Sequence, residues 1–341
     1  MKPLFLIASL WTIGLLAGCS KDDSPGTNST APTNLAVSAI VSTDNSGNVA
    51  FTATATNAVS YDYDLGNGVF QTVASGTVTY KYPAGGTYTV NVIAKNSGGQ
   101  TVSKSISVTV AVALAVAWSD EFNTPGAPDP AKWGYDLGAG GWGNAELQYY
   151  TSRPDNVIVS NGTLKITAKA ESYNGSSYTS TRLLSKGKFS FKYGKVEVRA
   201  KLPAGVGTWP AIWMLGDNIS AAGWPACGEI DIMEHVGSQL NKIFGTLHHP
   251  GHSGGNGDGS TVTIANATTD FHRYGLVWSA TTIQFLVDDV SFYTFPNTGG
   301  LPFNQNFFII LNVAMGGTFG GPVAPSFTSA AMEVDYVRVY N

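Results

Sequence analysis

Between residues 35 and 111, apolar and polar residues alternate in short runs: LAVSAIV (35–41), VAFTATA (49–55), TYTVNVIAK (87–95) and SKSISVTV (103–110). Turn-forming clusters (DNSGN, PAGG, NSGG) separate them. A period of two sends every second side chain to the same face of a strand, so the stretch predicts a small antiparallel β-sandwich. From 115 to 341 the strand signature continues, with strands expected at Thr163–Ala170, Lys195–Leu202, Ile243–His248, Thr282–Val287, Phe307–Asn312 and Met332–Tyr340. No segment carries apolar residues at helical spacing for more than two turns. So long a stretch of strands with Gly-rich turns predicts a two-sheet β-jelly-roll sandwich. The expected fold class is therefore all-β, a small sandwich followed by a large one. Val110–Trp118 is wholly apolar but too short to span a bilayer, and reads as a strand end running into a linker.

The N-terminus follows a different pattern. Lys2 precedes an apolar run from Leu4 to Ala17, which ends Leu16-Ala17-Gly18-Cys19. This is the form of a cleaved signal peptide over residues 1–19, and its end resembles a bacterial lipobox, which would attach lipid to Cys19. The bland alternative is an ordinary signal with a chance cysteine. Ser20-Lys21-Asp22-Asp23 is similar to the surface-export signal of Bacteroidetes lipoproteins, so an outer-membrane lipoprotein exposed at the cell surface is expected. The membrane would be met only through that anchor. Residues 20–34, polar with Pro and Gly, read as a tether. Lipidation of Cys19 would leave Cys227 alone, with no intrachain disulfide.

Composition narrows the function. Hydrophobic residues are 43% of the 341, enough for a real core, which excludes a disordered chain. Charged residues are only 12%, and 19 Lys plus Arg against 23 Asp plus Glu give a net charge of −4. Nucleic acid is thereby excluded as a partner, because phosphate recognition needs clustered bases on a basic background. The aromatic share (8 Trp, 15 Tyr, 16 Phe) fits strands and a stacking surface. A monomer is expected.

The chemistry concentrates in Gly228-Glu229-Ile230-Asp231-Ile232-Met233-Glu234. On a strand Glu229 and Asp231 share one face while Ile230 and Ile232 point to the core. Glu234, five from Glu229, falls on the wrong face unless a β-bulge near Met233 restores the phase. Three acids then share one space, where mutual repulsion pushes their pKa values apart. That separation suits glycosidic hydrolysis, in which one carboxylate attacks while another acid protonates the leaving oxygen. Four effective steps span about 13 Å of backbone at ~3.3 Å per residue. Inward-leaning side chains can close that toward the ~5–5.5 Å of retaining enzymes. A calcium site and a solvated strand face remain as rival readings of this segment alone. Trp209 and Trp213 lie four apart on one predicted strand face, where indoles can stack on sugar rings, although either alone reads rather as core. Asn144, Gln148 and His248, in Gly141–Tyr150 and Gly245–Pro250, are side chains able to bond sugar hydroxyls.

Together with WGNAELQYYT, YGKVEVRAKLP, GTWPAIWML, GTLHHPG, FHRYGLVW, ILNVAMGG and EVDYVRVYN, the Glu229–Glu234 motif resembles glycoside hydrolase family 16, in its laminarinase branch, over residues 115–341. The resemblance implies a concanavalin A-like jelly roll with an open cleft that cuts glycans internally. It implies Glu229 as nucleophile, Asp231 as assisting acid and Glu234 as general acid/base. Trp209, Trp213, Asn144 and Arg182 would bind substrate, and His248, rather than His249 or His252, would be the cleft histidine. It further implies a structural Ca²⁺ held by Glu121, the Gly162 carbonyl and Asp335, with no cofactor for catalysis. The implied substrate is β-1,3-glucan. Mixed-linkage β-1,3-1,4-glucan, agar-type or carrageenan-type polysaccharides, a non-catalytic glucan-binding role and a structural adhesin are the alternatives. In residues 35–111, Tyr61-Asp-Tyr-Asp-Leu-Gly-Asn-Gly68 followed by GTYTVNVIAKN resembles the immunoglobulin-like PKD repeat of surface proteins. It departs from the repeat's pattern at Tyr61 and Asn67, and implies a spacer or a carbohydrate-binding module.

Overall fold

The computed structural model describes residues 30–341. The signal segment, the expected lipidation at Cys19 and most of the tether lie outside the described residues. The described chain divides into two compact units, residues 30–113 and Leu114–Asn341. Among the described residues the α-helices are single turns, Ile219–Ala222 and Gly317–Gly320, and no helix is long and apolar enough to cross a membrane.

The first unit contains β1 (Thr33–Val41), β2 (Asn48–Thr56), β3 (Ser60–Asp64), β4 (Phe70–Val73), β5 (Thr77–Lys81), β6 (Gly86–Lys95) and β7 (Thr101–Val110). They form one sheet ordered β1-β2-β5 and another ordered β4-β3-β6-β7. The alternation in the sequence becomes the core: Val49, Phe51 and Ala53 of β2 meet Val90, Val92 and Ala94 of β6 and Tyr61 and Tyr63 of β3. Tyr63 and Tyr82 are fully buried because their hydroxyls donate to the carbonyls of Gly76 and Leu65.

The second unit comprises β8 (Val116–Asp120), β9 (Gly134–Asp136), β10 (Gln148–Tyr150), β11 (Val157–Ser160), β12 (Thr163–Tyr173), β13 (Ser176–Ser180), β14 (Arg182–Leu184), β15 (Gly194–Lys201), β16 (Thr208–Gly216), β17 (Glu229–Glu234), β18 (Lys242–His248), β19 (Asp258–Thr263), β20 (His272–Trp278), β21 (Thr282–Val287), β22 (Val290–Pro296), β23 (Phe307–Met315) and β24 (Ser329–Tyr340). The apolar run Val110–Trp118 is thus more than a strand end and a linker. Its last three residues open β8, which pairs with β24.

Seven strands form a sheet ordered β19-β18-β17-β16-β23-β14-β9. Ten form the other, ordered β10-β13-β12-β24-β15-β20-β21-β22, with β11 and β8 added to β12 and β24. One core lies between them. Ile212, Met214, Ile230, Ile232, Ile309 and Leu311 come from the first sheet, and Ile166, Val196, Val198, Leu276, Phe285 and Val334 from the second. Burying each such side chain is worth about 1.5–3 kcal/mol. The seven-stranded sheet is therefore anchored firmly enough by one face to carry polar and charged groups on the other.

Candidate active site

The exposed face of the seven-stranded sheet is where the acids emerge. Against β16, Asp231 pairs with Trp213 and Met233 with Ile212, so Ile232 has no partner. Against β18, Asp231 pairs with Thr246 and Glu234 with Phe244, three steps against two. This is a one-residue β-bulge. It turns Ile230, Ile232 and Met233 all into the core, each no more than 1% exposed, and brings Glu229, Asp231 and Glu234 to the opposite side. The odd spacing of the acids is reconciled with a single face, as the sequence required.

The three carboxyl groups line a cleft of about 700 Å³. Trp209 and Trp213 of β16, His248 of β18, Arg182 of β14 and Asn144 line it too. Gln148, the other side chain the sequence offers for sugar hydroxyls, does not, because it is fully buried with its amide donating to Glu146 and accepting from the Met315 N–H at 2.7 Å. Glu229 accepts a hydrogen bond from the Trp224 indole at 3.0 Å, and Glu234 one from the Trp209 indole at 2.8 Å. An indole N–H can stabilise an anion without giving up its proton, so each outer acid is oriented by a neutral donor. Between them Asp231 is 4% exposed. Its Oδ2 lies 3.2 Å from His248 Nε2, which is 3.8 Å from Glu229 Oε1.

Burial dominates the electrostatics. It pushes Glu229 well above the usual carboxylate range, with the charges of Asp231 and then Glu234 adding to the rise, while His248 and the Trp224 hydrogen bond oppose it. Asp231 is driven well up by burial and by Glu234. Glu234 is raised by burial and held back by the Trp209 hydrogen bond and by His248. Three such groups cannot all ionise together, so the cluster retains protons at a pH where isolated carboxyls have lost theirs.

Several residues of the site were missed by sequence reasoning. Trp142, Glu146, Trp224 and Asn312 all line the cleft. Asn312 is the one polar residue in the buried run FFIILNVAM of β23, which is a readable signal. Its Oδ1 accepts from Trp213 Nε1 at 2.7 Å and its Nδ2 donates to Tyr150 Oη at 3.0 Å. Tyr150 Oη in turn donates a hydrogen bond to Glu146 at 3.0 Å, and Glu146 also accepts from Gln148 at 2.6 Å and Asn144 at 3.3 Å. This chain fixes the Trp213 indole and ties Asn144 to the sheet. The Arg182 guanidinium lies between the Trp142 and Trp213 rings, 5.1 and 4.7 Å from their centroids, with Nε 3.1 Å from Asp136. Cys227, fully buried with Leu215 and Phe308, has its thiol pushed up to about 11, chiefly by burial, which makes it a packing residue.

The calcium positions converge only in part. β8 and β12 pair with consecutive stretches of β24, so Glu121, Gly162 and Asp335 fall at one seam. Both carboxylates are already satisfied there. Glu121 takes two hydrogen bonds from Arg338, at 2.9 and 2.8 Å, and Asp335 pairs with Arg199. As arranged, these side chains do not fit a bound cation.

Comparison with known proteins agrees with this geometry. The family model of glycosyl hydrolases family 16 matches residues 144–338. A second model, beta-glucan synthesis-associated protein SKN1/KRE6/Sbg1, matches 46–230 and stops short of Asp231 and Glu234. A beta-glucanase of Rhodothermus marinus is 48% identical over 241 residues, covering 66% of this chain and 84% of its own. The X-ray structure of the laminarinase from Rhodothermus marinus superposes with a TM-score of 0.65 at 47% identity, over 67% of this chain and 98% of that one. LamA from Z. galactanivorans, solved in complex with laminaritriose and laminaritetraose, gives 0.63 at 43% identity, over 67% of this chain and all of its own. The acid-bearing strand lies inside the segment matched by the first model, and the chain belongs to glycoside hydrolase family 16.

Proposed function

We propose that the protein is a retaining endo-β-1,3-glucanase acting on laminarin-type glucan. The observation that carries this reading is the bulged β17, which presents Glu229, Asp231 and Glu234 to one indole-walled cleft. In the first step Glu229, whose charged form is disfavoured by burial and by Asp231 but supported by His248 and the Trp224 indole, attacks the anomeric carbon as the carboxylate while protonated Glu234 gives its proton to the departing glycosidic oxygen. In the second, Glu234, now a carboxylate, takes a proton from water. The hydroxide releases the sugar and regenerates both acids. Asp231 shares hydrogen bonding with Glu229 and helps hold the proton count of the cluster. Trp209, Trp213, Asn144, His248 and Arg182 would bind the sugars. One acid must be charged and another neutral, so activity should follow a bell-shaped pH profile.

The cleft lining supports a neutral glycan. Among its described residues Arg182 is the sole Lys or Arg, and Asp136 already neutralises it. Sulfated polysaccharides would meet four acids, Glu146, Glu229, Asp231 and Glu234, and no free cation. Product analysis on laminarin, lichenan, agarose and κ-carrageenan, side by side, tests the reading. Laminarin oligosaccharides with retained β-configuration are expected, with lichenan as the near second. Binding of laminarin without any reducing-sugar release would replace the hydrolase with a glucan-binding protein.

The same reading makes the first unit a PKD-like spacer, and Cys19 the lipid anchor of a monomeric surface lipoprotein. A structural Ca²⁺ at Glu121, Gly162 and Asp335 requires Arg338 to leave Glu121 and Arg199 to leave Asp335. It predicts a melting temperature that falls on EDTA dialysis and recovers with Ca²⁺. An unchanged melting temperature would remove the ion from the reading.

A further inference from the structure

A second cluster of ligating side chains lies outside the acid cleft, in the connection between β18 and β19. His249 and His252 exchange backbone hydrogen bonds, His249 N to His252 O at 2.8 Å and His252 N to His249 O at 2.9 Å. The tight turn between them stacks the two imidazoles 4.7 Å apart. Both rings meet one carboxylate through different oxygens. His249 Nε2 is 2.9 Å from Asp258 Oδ2, and His252 Nδ1 is 3.1 Å from Asp258 Oδ1. One ligand atom from each residue lies within 4.8 Å of the others. A tetrahedral ion with bonds of ~2.0–2.1 Å holds its ligand atoms roughly 3.3 Å apart. The two His–Asp separations are already within a few tenths of an ångström of that.

We propose that His249, His252 and Asp258 form a site for zinc or a similar divalent transition metal, which clips the loop at the cleft edge. Two imidazole nitrogens and one carboxylate oxygen suit a borderline ion rather than calcium, whose sites are built from six to eight oxygens. Each imidazole can ligate in its neutral form by keeping its proton on the other ring nitrogen, so the site would carry only the Asp258 charge against the ion. His249, 6% exposed, is held edge-on by Phe303, with ring centroids 5.7 Å apart, and flanked by Phe295 at 6.1 Å. Such a shell fixes a ligand's orientation. The side chain of His252 is half exposed and gives the ion its entry. Water would complete the coordination.

The consequence reaches the cleft. Gly254, Gly255 and Gly257, between the ligands His252 and Asp258, line it. A Cβ on Gly257 would come within 2.7 Å of the His248 ring, so this loop is packed directly on the cleft histidine. An ion joining both ends of the loop would hold that wall in place.

The full chain, without an affinity tag, stripped with EDTA and desalted, is titrated with Zn²⁺ by calorimetry and with Co²⁺ as an optical probe. The expected result is one Zn²⁺ per chain, a tetrahedral Co²⁺ spectrum and a melting temperature raised by Zn²⁺. His252→Ala and Asp258→Asn should each weaken binding by about tenfold or more while melting like the wild type in EDTA. Glu229→Gln should leave it unchanged, which separates this site from Glu229, Asp231 and His248, whose ligand atoms also cluster. Absence of stoichiometric binding, equal affinity in His252→Ala, or loss of binding in Glu229→Gln would overturn the proposal.

Discussion

Asp231 shows what the site costs the fold. Its carboxyl is nearly inaccessible, flanked by two other acids, and raised well above its ordinary pKa by burial and by Glu234. A carboxyl whose pKa is higher in the folded chain binds more protons folded than unfolded. Between its unfolded value, about 3.9, and its raised folded value, stability therefore falls as pH rises. Asn has nearly the same shape and no charge. Asp231→Asn should raise the melting temperature at neutral pH, by roughly 2–4 °C for each kcal/mol of repulsion relieved. It should also flatten the decline of stability with pH and slow turnover, a trade between stability and activity that calorimetry across pH and laminarin assays would measure. Glu229→Ala should go further in activity, with kcat reduced by on the order of 10³-fold or more and no loss of folding. Near-normal rates on every β-glucan would refute the assignment. At this scale the sequence is a good guide, because an acid or an indole declares its chemistry by its identity. Trp224 was passed over because its hydrogen bond to Glu229 depends on how the loop before β17 folds back, which no local pattern encodes.

At the scale of the element, β17 and β23 differ in how much they reveal. The bulge in β17 is legible because Glu229 and Glu234 are an odd number of residues apart, and only an extra residue lets both share a face with Asp231. β23 hides its contribution, since FFIILNVAM reads as a plain buried strand. Asn312 within it joins Trp213 to Tyr150, and through Tyr150 to Glu146 and the segment carrying Asn144. These partners lie 99 and 162 positions away in the chain, which is why no spacing rule finds them. Removing Asn312 strands a part-buried indole N–H and removes a donor from a buried hydroxyl, at about 1–3 kcal/mol. Asn312→Ala should accordingly lower the melting temperature by roughly 2–12 °C. Because Trp213 loses its tether, KM for laminarin should rise more than kcat falls. A change in stability alone would mean that the Trp213 indole is held by packing and not by this network.

Across the whole molecule, each unit closes its own core. The residues packed around Phe51 and Tyr63 and those packed between the seven- and ten-stranded sheets belong to separate clusters, and every sheet draws its strands from one unit. The acids, the indoles and the Asn312 network all belong to Leu114–Asn341. The alternating pattern made the strands of both units visible in the sequence, whereas the apolar run at Val110–Trp118 masked the start of β8, because its last residues pair with β24 at the far end of the chain. Two self-contained cores predict two heat-absorption events in calorimetry, not one. At ~0.7 kcal/mol per residue near 60 °C, the second unit should contribute about 160 kcal/mol and residues 30–113 of the first about 60. A ligand stabilises only the unit that binds it. A laminarin oligosaccharide added to the Glu229→Ala variant, which cannot consume it, should therefore move the larger transition upward and leave the smaller one in place. A shift of the smaller transition would assign glucan binding to the first unit, and a single transition would mean that the two cores unfold as one.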